Sequence, residues 1–144
     1  EGEWLDDQQH GHGTESWNFK KIKYTGNFVD GKKTGNGRFE FEGGYYEGEF
    51  KDGKFDGRGV YYFSDSGKIY DGEFKENNMD GKGLMVWPDQ SRYEGDFKMG
   101  KIEGHGNKEF ANGNRYVGMW KNDQQHGSGV WYSIKDQTKR QGNW

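Results

Sequence analysis

The chain has 144 residues, of which 28% are hydrophobic, 31% are charged and 17% are aromatic, and its formal net charge at pH 7 is −3. Because it contains no cysteine, disulfides and thiolate metal sites are excluded, and because acidic residues outnumber Lys and Arg, its charge does not indicate a nucleic-acid partner. No apolar run approaches the roughly 20 residues that a membrane-spanning helix needs.

A pair of glycines two residues apart is the first regular feature along the chain, and it occurs six times. The first glycines of successive pairs are 22 to 24 residues apart. A period of this length is typical of one supersecondary unit stacked on copies of itself. The pairs are Gly11/Gly13, Gly35/Gly37, Gly57/Gly59, Gly81/Gly83, Gly104/Gly106 and Gly127/Gly129.

A second pattern follows each of the first five pairs: two aromatic residues flank a glycine at alternate positions. Since side chains alternate along a strand, these three residues share one face of a predicted strand. Aromatic residues that occur at the same position in every repeat can stabilise a thin, extended fold, so the low hydrophobic content does not predict disorder here. The five copies are Tyr24-x-Gly26-x-Phe28, Tyr46-x-Gly48-x-Phe50, Tyr70-x-Gly72-x-Phe74, Tyr93-x-Gly95-x-Phe97 and Tyr116-x-Gly118-x-Trp120.

The stretch from Tyr46 to Phe63 represents one unit. Asp52-Gly53 is a turn signal between two strand-like segments, which together predict a β-hairpin. In a regular antiparallel hairpin, the numbers of paired residues add up to the same total. With this pairing, the glycines would leave room for large rings to lie across the backbone. The expected partners are Tyr46 and Tyr61, Gly48 and Gly59, and Phe50 and Gly57.

An aromatic residue also recurs four positions after the second glycine of the first five pairs. These residues are Trp17, Phe41, Phe63, Trp87 and Phe110. The sixth unit has Ser133 there, which predicts an irregular unit. The patterns together predict an all-β fold, an elongated single-sheet antiparallel meander of about eleven or twelve short strands, twisted into an open trough.

The segment from Tyr46 to Gly59, YEGEFKDGKFDGRG, resembles the MORN repeat (membrane occupation and recognition nexus). The resemblance extends over nearly the whole chain, with a first repeat that lacks its opening Tyr and a final stub with Gln141 in the Tyr place. Because the chain begins and ends in mid-pattern, we expect a segment of a longer protein. Its single array would comprise repeats at about 1–23, 24–45, 46–69, 70–92, 93–115 and 116–140 and a stub at 141–144.

The resemblance implies a stack of β-hairpins used for binding and assembly. Proteins of this type include junctophilins, radial spoke head proteins and cytoskeletal scaffolds of apicomplexans and kinetoplastids. We therefore expect a non-catalytic, cytoplasmic protein–protein scaffold in a ciliary, radial-spoke-like, or cytoskeletal assembly. Two alternatives stay open: a peripheral membrane tether that binds anionic phospholipids, and the regulatory repeats of an enzyme, such as a phosphatidylinositol-phosphate kinase, whose catalytic domain is absent.

Two sets of residues are candidates for these roles. An aromatic-lined concave side would grip an extended or helical segment of a partner, or a neighbouring subunit, because aromatic anchors dominate many interfaces. Its candidates are Tyr46, Tyr61, Tyr70, Trp87, Tyr93 and Tyr116. Loop lysines would make weak contacts with anionic lipid headgroups. The candidate lysines are Lys32, Lys33, Lys54 and Lys101.

The face opposite the aromatic residues is predicted to be charged. Stacking would arrange acidic pairs and lysines of the first strands as an acidic stripe edged by a lysine row: Glu47, Glu49, Lys51, Asp71, Glu73, Lys75, Glu94, Asp96 and Lys98. Such a stripe is either a solvated face or a docking strip for a basic partner. Second strands add apolar residues on the same side, which indicates partial burial or a partner site: Val60, Tyr62, Leu84, Val86, Val130 and Tyr132.

Neither catalysis nor cofactor binding is predicted. The Gly-x-Gly pairs lack the following helix and the Gly-Lys-Ser/Thr ending of phosphate-binding loops. Ser128 lacks a nucleophile elbow and a placed base. His10 and His12 would share a strand face, but a structural metal site needs about four ligands. We therefore expect no metal, cofactor, small-molecule substrate or nucleic acid.

Overall fold

The computed structural model describes residues 2–5, 8–17, 22–135 and 137–144, with side chains from Gly11 onward except those of Glu15 and Trp17. Within this part the chain forms thirteen strands in one antiparallel sheet, and each strand pairs with the next one along the chain. The strands are β1 (Gly2–Leu5), β2 (Gln8–Trp17), β3 (Ile22–Val29), β4 (Lys32–Phe41), β5 (Gly44–Lys51), β6 (Lys54–Phe63), β7 (Ile69–Lys75), β8 (Asn78–Val86), β9 (Arg92–Lys98), β10 (Lys101–Glu109), β11 (Arg115–Lys121), β12 (Gln124–Ser133) and β13 (Thr138–Asn143).

The sheet is an open meander whose edges are β1 and β13. The prediction of an all-β, single-sheet antiparallel fold is therefore confirmed. The described part has thirteen strands, against the expected eleven or twelve, because short strands at both ends also pair with the sheet.

The last strand corrects the alignment of the final repeat. Gly142 lies opposite Gly129, and Arg140 lies opposite Trp131. Arg140, not Gln141, therefore occupies the place of the opening Tyr. Two residues after Gly142, the ring of Trp144 meets Tyr116 edge-on, with 5.2 Å between ring centroids.

One tyrosine per repeat forms the centre of the core, and each is fully buried: Tyr24, Tyr46, Tyr70, Tyr93 and Tyr116. The ring of Tyr46 lies so close to Gly59 that a Cβ at this glycine would be 2.4 Å from it. Its hydroxyl donates a hydrogen bond of 2.6 Å to the carbonyl oxygen of Glu49, so the buried polar group has a partner. The ring also meets Phe50 and Phe74 edge-on, at centroid distances of 5.1 and 4.9 Å, which links successive repeats.

One expected pair between β5 and β6 is wrong: Phe50 lies opposite Phe55 rather than Gly57, whereas the other two pairs are present. The turn at Asp52-Gly53, in which both residues have positive φ, sets the pairing at one end. At the other end, the contact of the Tyr46 ring with Gly59 sets the pairing. Between the two ends β6 has two more residues than β5, and a bulge in β6 accommodates them. Gly57 lies in this bulge with a φ of 100°, which an L-residue rarely adopts.

The two glycines of each pair therefore differ in role. From Gly37 onward the second glycine of each pair lies under a tyrosine ring, as predicted, whereas the first glycine has a positive φ at the bulge. An acidic residue of the first strand stabilises the bulge, since Glu49 Oε2 accepts a hydrogen bond of 2.5 Å from Arg58 N and Asp96 Oδ2 accepts one of 3.0 Å from His105 N. The first glycines with positive φ are Gly11, Gly35, Gly57, Gly81, Gly104 and Gly127.

Candidate functional site

The sheet has two faces of different chemistry, and the strand register assigns residues to them. The tyrosine face carries the buried tyrosines and most other aromatic side chains. The opposite face, here called the charged face, carries every carboxylate at a strand position from β3 to β13. Any partner site on one face therefore differs in charge from a site on the other.

Four of the six aromatic residues predicted to bind a partner are fully buried, which corrects that prediction: Tyr46, Tyr70, Tyr93 and Tyr116. Each ring is enclosed between its glycine and the second aromatic residue of the next repeat. These rings form the core and offer no surface to a partner in this fold. The other two candidates, Tyr61 and Trp87, are partly exposed.

A strip of partly exposed aromatic side chains, here called the aromatic ribbon, crosses the tyrosine face. Its members follow a second glycine by two or four residues, and ring contacts join Phe39, Phe41, Tyr61 and Phe63 at one end and Phe110 and Trp131 at the other. Tyr61 lies 4.4 Å from Phe63 and 5.7 Å from Phe41, and Phe110 lies 5.2 Å from Trp131, between ring centroids. The ribbon consists of Phe39, Phe41, Tyr61, Phe63, Trp87, Phe110 and Trp131.

Lys108 lies in the ribbon, at a place that other repeats fill with Phe39, Tyr61, Met85 and Trp131. Its Nζ is 4.6 Å from the ring centroid of Trp87 and 5.2 Å from that of Phe110. Burial lowers the pKa of this ammonium group, although Asp89 and Asp123 act in the opposite direction. Among the described residues, no carboxylate forms an ion pair with it.

Three further cations lie on the tyrosine face, although turn carboxylates also act on it: Asp65 on Tyr61, and Asp89 and Asp123 on Lys108. Lys33 Nζ lies 5.6 Å from the ring centroid of Phe39, and Lys68 Nζ lies 4.8 Å from that of Phe63. Arg140 on β13 is a further cation of this face. From β3 to β13 the strand positions of the tyrosine face thus carry aromatic residues and cations, whereas the strand carboxylates lie on the other side. On β2, Glu15 is at a tyrosine-face position, opposite Tyr24.

The described cavities over the glycine pairs lie on the charged face. Tyrosine rings fill the space over the glycines on the tyrosine face, so open space is left on the other side. One cavity of about 520 Å³ is lined by Arg58, Asp71, Lys82, Gly83, Leu84, Glu94 and Gly95. Another of about 440 Å³ is lined by His12, Thr25, Gly26, Asn36, Gly37, Arg38, Glu47 and Gly48.

The acidic stripe on the charged face is partly neutralised within the chain. Arg38 Nη1 donates a hydrogen bond of 2.6 Å to Glu47 Oε2, and Lys82 Nζ pairs with Asp96 Oδ1. Glu49 and Asp96 also accept the backbone hydrogen bonds of the bulges. The stripe therefore has a structural role, and its use by a basic partner stays a prediction.

Three of the four lysines predicted to contact lipid lie in one row on the charged face, at the turn ends of the hairpins, whereas Lys33 lies on the tyrosine face. Lys51 lies opposite Lys54, and Lys98 lies opposite Lys101, which places like charges against each other. This lysine row consists of Lys32, Lys51, Lys54, Lys75, Lys98, Lys101 and Lys121.

Six segments of the chain match the family model of the MORN repeat: residues 1–18, 24–44, 46–68, 70–92, 93–115 and 116–136. The chain belongs to the MORN repeat family. The match confirms the resemblance carried by the tyrosine and glycine pattern, and the family is a non-catalytic repeat module.

The MORN array is similar in fold to the TCP domain of SAS-4 (dCPAP) of Drosophila melanogaster, whose structure was solved in complex with a proline-rich motif of Ana2 (dSTIL). The TM-score is 0.53 and the sequence identity is 11%, with 93% of this chain and 85% of that chain covered. At this identity the likeness concerns the fold alone. No curated protein matches the MORN array.

Sequence reasoning missed Lys108 as a feature of the MORN array. The signal was available, because two residues after the second glycine four other repeats carry an aromatic residue or Met, whereas the first repeat carries Glu15. A lysine at such a place lies among rings instead of in solvent.

The described part of the MORN array has neither a candidate metal-ligand group nor a membrane-spanning helix. Its His, Asp and Glu side chains form no group of three or more that could hold a metal ion. His10, half of the weak histidine pair noted in the sequence, lies outside the described side chains. The described residues include no helix long and apolar enough to cross a membrane.

Proposed function

We propose that this MORN array is a protein–protein interaction module whose aromatic ribbon receives an extended segment of a partner. The observation that carries this proposal is the ribbon itself, seven partly exposed aromatic side chains on one face. Large aromatic groups supply most of the energy at many protein interfaces. Tyr61 and Trp87, which were candidates from the sequence, are the members that we expect to matter most.

The fold neighbour gives secondary support, since its structure contains a bound proline-rich motif. Proline-rich segments are extended before they bind and dock on aromatic side chains. A ribbon of rings suits a ligand of this kind. As part of the proposal we place the module in the cytoplasm, in a ciliary or cytoskeletal assembly, where the family's repeats serve as scaffolds.

Adjacent residues on opposite faces allow a matched test. The double variant Tyr61→Ala, Trp87→Ala removes ring area from the ribbon, and Tyr62→Ala, Val86→Ala removes apolar area from the charged face of the same two segments. Both variants and the unchanged array are used as baits in quantitative affinity purification, after their folding is checked by circular dichroism. We expect at least one stoichiometric protein partner to be lost from the ribbon variant and kept by the control.

Partners that bind both folded variants equally well would contradict the proposal, because binding would then not depend on the ribbon. Loss of binding to the control alone would assign the interface to the charged face. The localisation is tested separately by imaging the tagged protein, and absence from both cilium and cytoskeleton would contradict that part of the proposal.

Peripheral membrane binding is the second candidate function, and the lysine row is the observation that favours it. Acidic residues line the cavity of about 660 Å³ between Lys51 and Lys75, so an anionic surface would meet carboxylates as well as lysines. Flotation with phosphoinositide vesicles at low and high salt tests this function. Salt-sensitive binding that is lost on Lys32→Glu, Lys54→Glu and Lys101→Glu, all on the lysine row, would support it, and no flotation at low salt would exclude it.

A further inference from the structure

We propose that the aromatic ribbon selects a partner segment that carries carboxylates between its apolar residues, and that Lys108 is the residue that determines this preference. This inference rests on the proposed function, because it names the chemistry of the segment that the ribbon would receive.

Charge complementarity identifies the ligand class. The tyrosine face carries no carboxylate at a strand position from β3 to β13, whereas its cations lie along the ribbon: Lys33, Lys68, Lys108 and Arg140. The chain as a whole has a net charge of −3, so the strand positions of this face from β3 to β13 differ in charge from the molecule as a whole. The carboxylates that act on this face, Asp65, Asp89 and Asp123, lie in turns. Cations placed among rings favour a segment with both acidic and apolar groups and disfavour a basic one.

Lys108 differs from an ordinary surface lysine in its surroundings. Its ammonium lies between the rings of Trp87 and Phe110, and it forms no ion pair among the described residues. The nearby Asp89 carboxylate is engaged by Ser91, whose backbone N–H and hydroxyl both donate hydrogen bonds to Oδ1. An ammonium group that has lost part of its water gains more from an incoming carboxylate than a fully hydrated one does.

The fold does not require a lysine at this place. Met85 occupies the equivalent position on β8 and is buried in the core. Replacing Lys108 by Met therefore restores the chemistry of another repeat and exchanges a partly buried charge for an apolar group. We expect the melting temperature of Lys108→Met to equal or exceed that of the unchanged array, so the variant isolates recognition from folding.

Three fluorescein-labelled probes test the inference by fluorescence anisotropy: (Asp-Phe-Asp-Pro)₃, (Ser-Phe-Ser-Pro)₃ and (Lys-Phe-Lys-Pro)₃. They share their Phe and Pro residues and differ only at the polar positions, which are acidic, neutral or basic, and proline keeps them from pairing as strands. We expect the acidic probe to bind at least tenfold more tightly than the neutral one and the basic probe to bind most weakly. Lys108→Met should remove the acidic preference, Lys108→Arg should keep it, and Lys98→Met, on the lysine row, should leave it unchanged.

Several results would overturn the inference. These are no binding of the acidic probe, equal binding of the acidic and basic probes, or an acidic preference that survives Lys108→Met. An equal loss of the acidic preference in Lys98→Met would attribute it to overall charge and would also overturn the inference. If the neutral probe binds as tightly as the acidic one and both are lost on Tyr61→Ala, Trp87→Ala, the inference fails while the ribbon as a binding surface stands.

Discussion

At the scale of single residues, the fold depends on rings that lie directly on glycines. The closest contacts leave no room for a methyl group, since a Cβ on Gly83 would lie 2.4 Å from the ring of Tyr70. The tyrosine hydroxyl then donates to a carbonyl oxygen three residues on, at 2.8 Å for Tyr70 and Glu73. Ring, glycine and carbonyl therefore form one unit that tolerates little change.

Replacing Gly59 by alanine tests this unit. The added Cβ would lie 2.4 Å from the ring of Tyr46, which is fully buried and cannot move away. We expect the free energy of unfolding in urea to fall by about 3 kcal/mol, as for an overpacked core. The control is Gly53→Asn, at a turn glycine with nothing within 4 Å of its Cβ position. Its positive φ, which Asn tolerates better than most L-residues, should cost about 1 kcal/mol or less. Equal losses for both variants would contradict the packing argument.

The buried tyrosines also make stability depend on alkaline pH. Burial raises the pKa of Tyr46, Tyr70 and Tyr93 above the value of about 10 for an exposed tyrosine. Below pH about 10 both states keep their protons, whereas above it the unfolded chain loses protons that the folded chain retains. The folded state therefore loses stability as pH rises beyond 10.

Urea unfolding between pH 8 and 11.5 checks this expectation. We expect a flat profile up to about pH 9.5 and a progressive decrease above it, with a shallower decrease for Tyr70→Phe because one titrating group is removed. A profile that stays flat to pH 11.5 would show that these hydroxyl groups are not buried as described.

At the scale of the hairpin, two local interactions set incompatible registers, and a bulge reconciles them. The turn pairs Lys51 with Lys54, whereas the ring contact pairs Gly48 with Gly59. The carboxylate of Glu49 then accepts the N–H of Arg58 that the bulge leaves outside the ladder. An acidic residue between the glycine and the second aromatic residue thus belongs to the hairpin itself.

Neighbouring glutamates on the same face separate this role from general surface charge. Glu49→Ala leaves the Arg58 N–H without its acceptor and should lower the free energy of unfolding by about 1–2 kcal/mol. Glu47→Ala removes a pair with Arg38 that is largely exposed and should cost about 0.5 kcal/mol or less. Urea titrations of both variants provide the comparison, and a larger loss for Glu47→Ala would refute the role given to Glu49.

At the scale of the whole molecule, each strand of the array contacts mainly the strands that precede and follow it in the sequence. The main contacts between strands are those between consecutive strands, and rings such as Tyr93 and Trp120 connect one repeat to the next. Stability should therefore decrease from the centre towards the ends, as in other repeat proteins. Trp144 gives the last tyrosine, Tyr116, the same edge-on contact.

The variant Trp144→Ala tests this organisation. Loss of its ring exposes Tyr116, so amide hydrogen exchange in β11–β13 should become at least tenfold faster. Exchange in β3–β6 should stay the same, because no ring contact to Trp144 reaches that far. Faster exchange throughout the array would indicate a single cooperative unit and would contradict the nearest-neighbour description.

The architecture was predictable because its signals are local. Alternation along Tyr46, Gly48 and Phe50 identifies a strand and its face, and a period of 22 to 24 residues identifies the stack. The bulge at Gly57 was not predicted, because it arises from a conflict between turn and ring contact that appears only when both are in place. The candidate site was predicted in part: two of its six aromatic residues, Tyr61 and Trp87, remain accessible.

The sequence by itself determined the fold class, the repeat length and the division of aromatic and charged residues between two faces, since these follow from spacing along the chain. Tertiary structure decided which rings are core and which form the ribbon, because each tyrosine is covered by an aromatic residue from the next repeat. It also placed Lys108 against Trp87 and Phe110, two rings from different hairpins. Burial depends on what stacks two strands away, and that neighbour exists only once the hairpins have assembled.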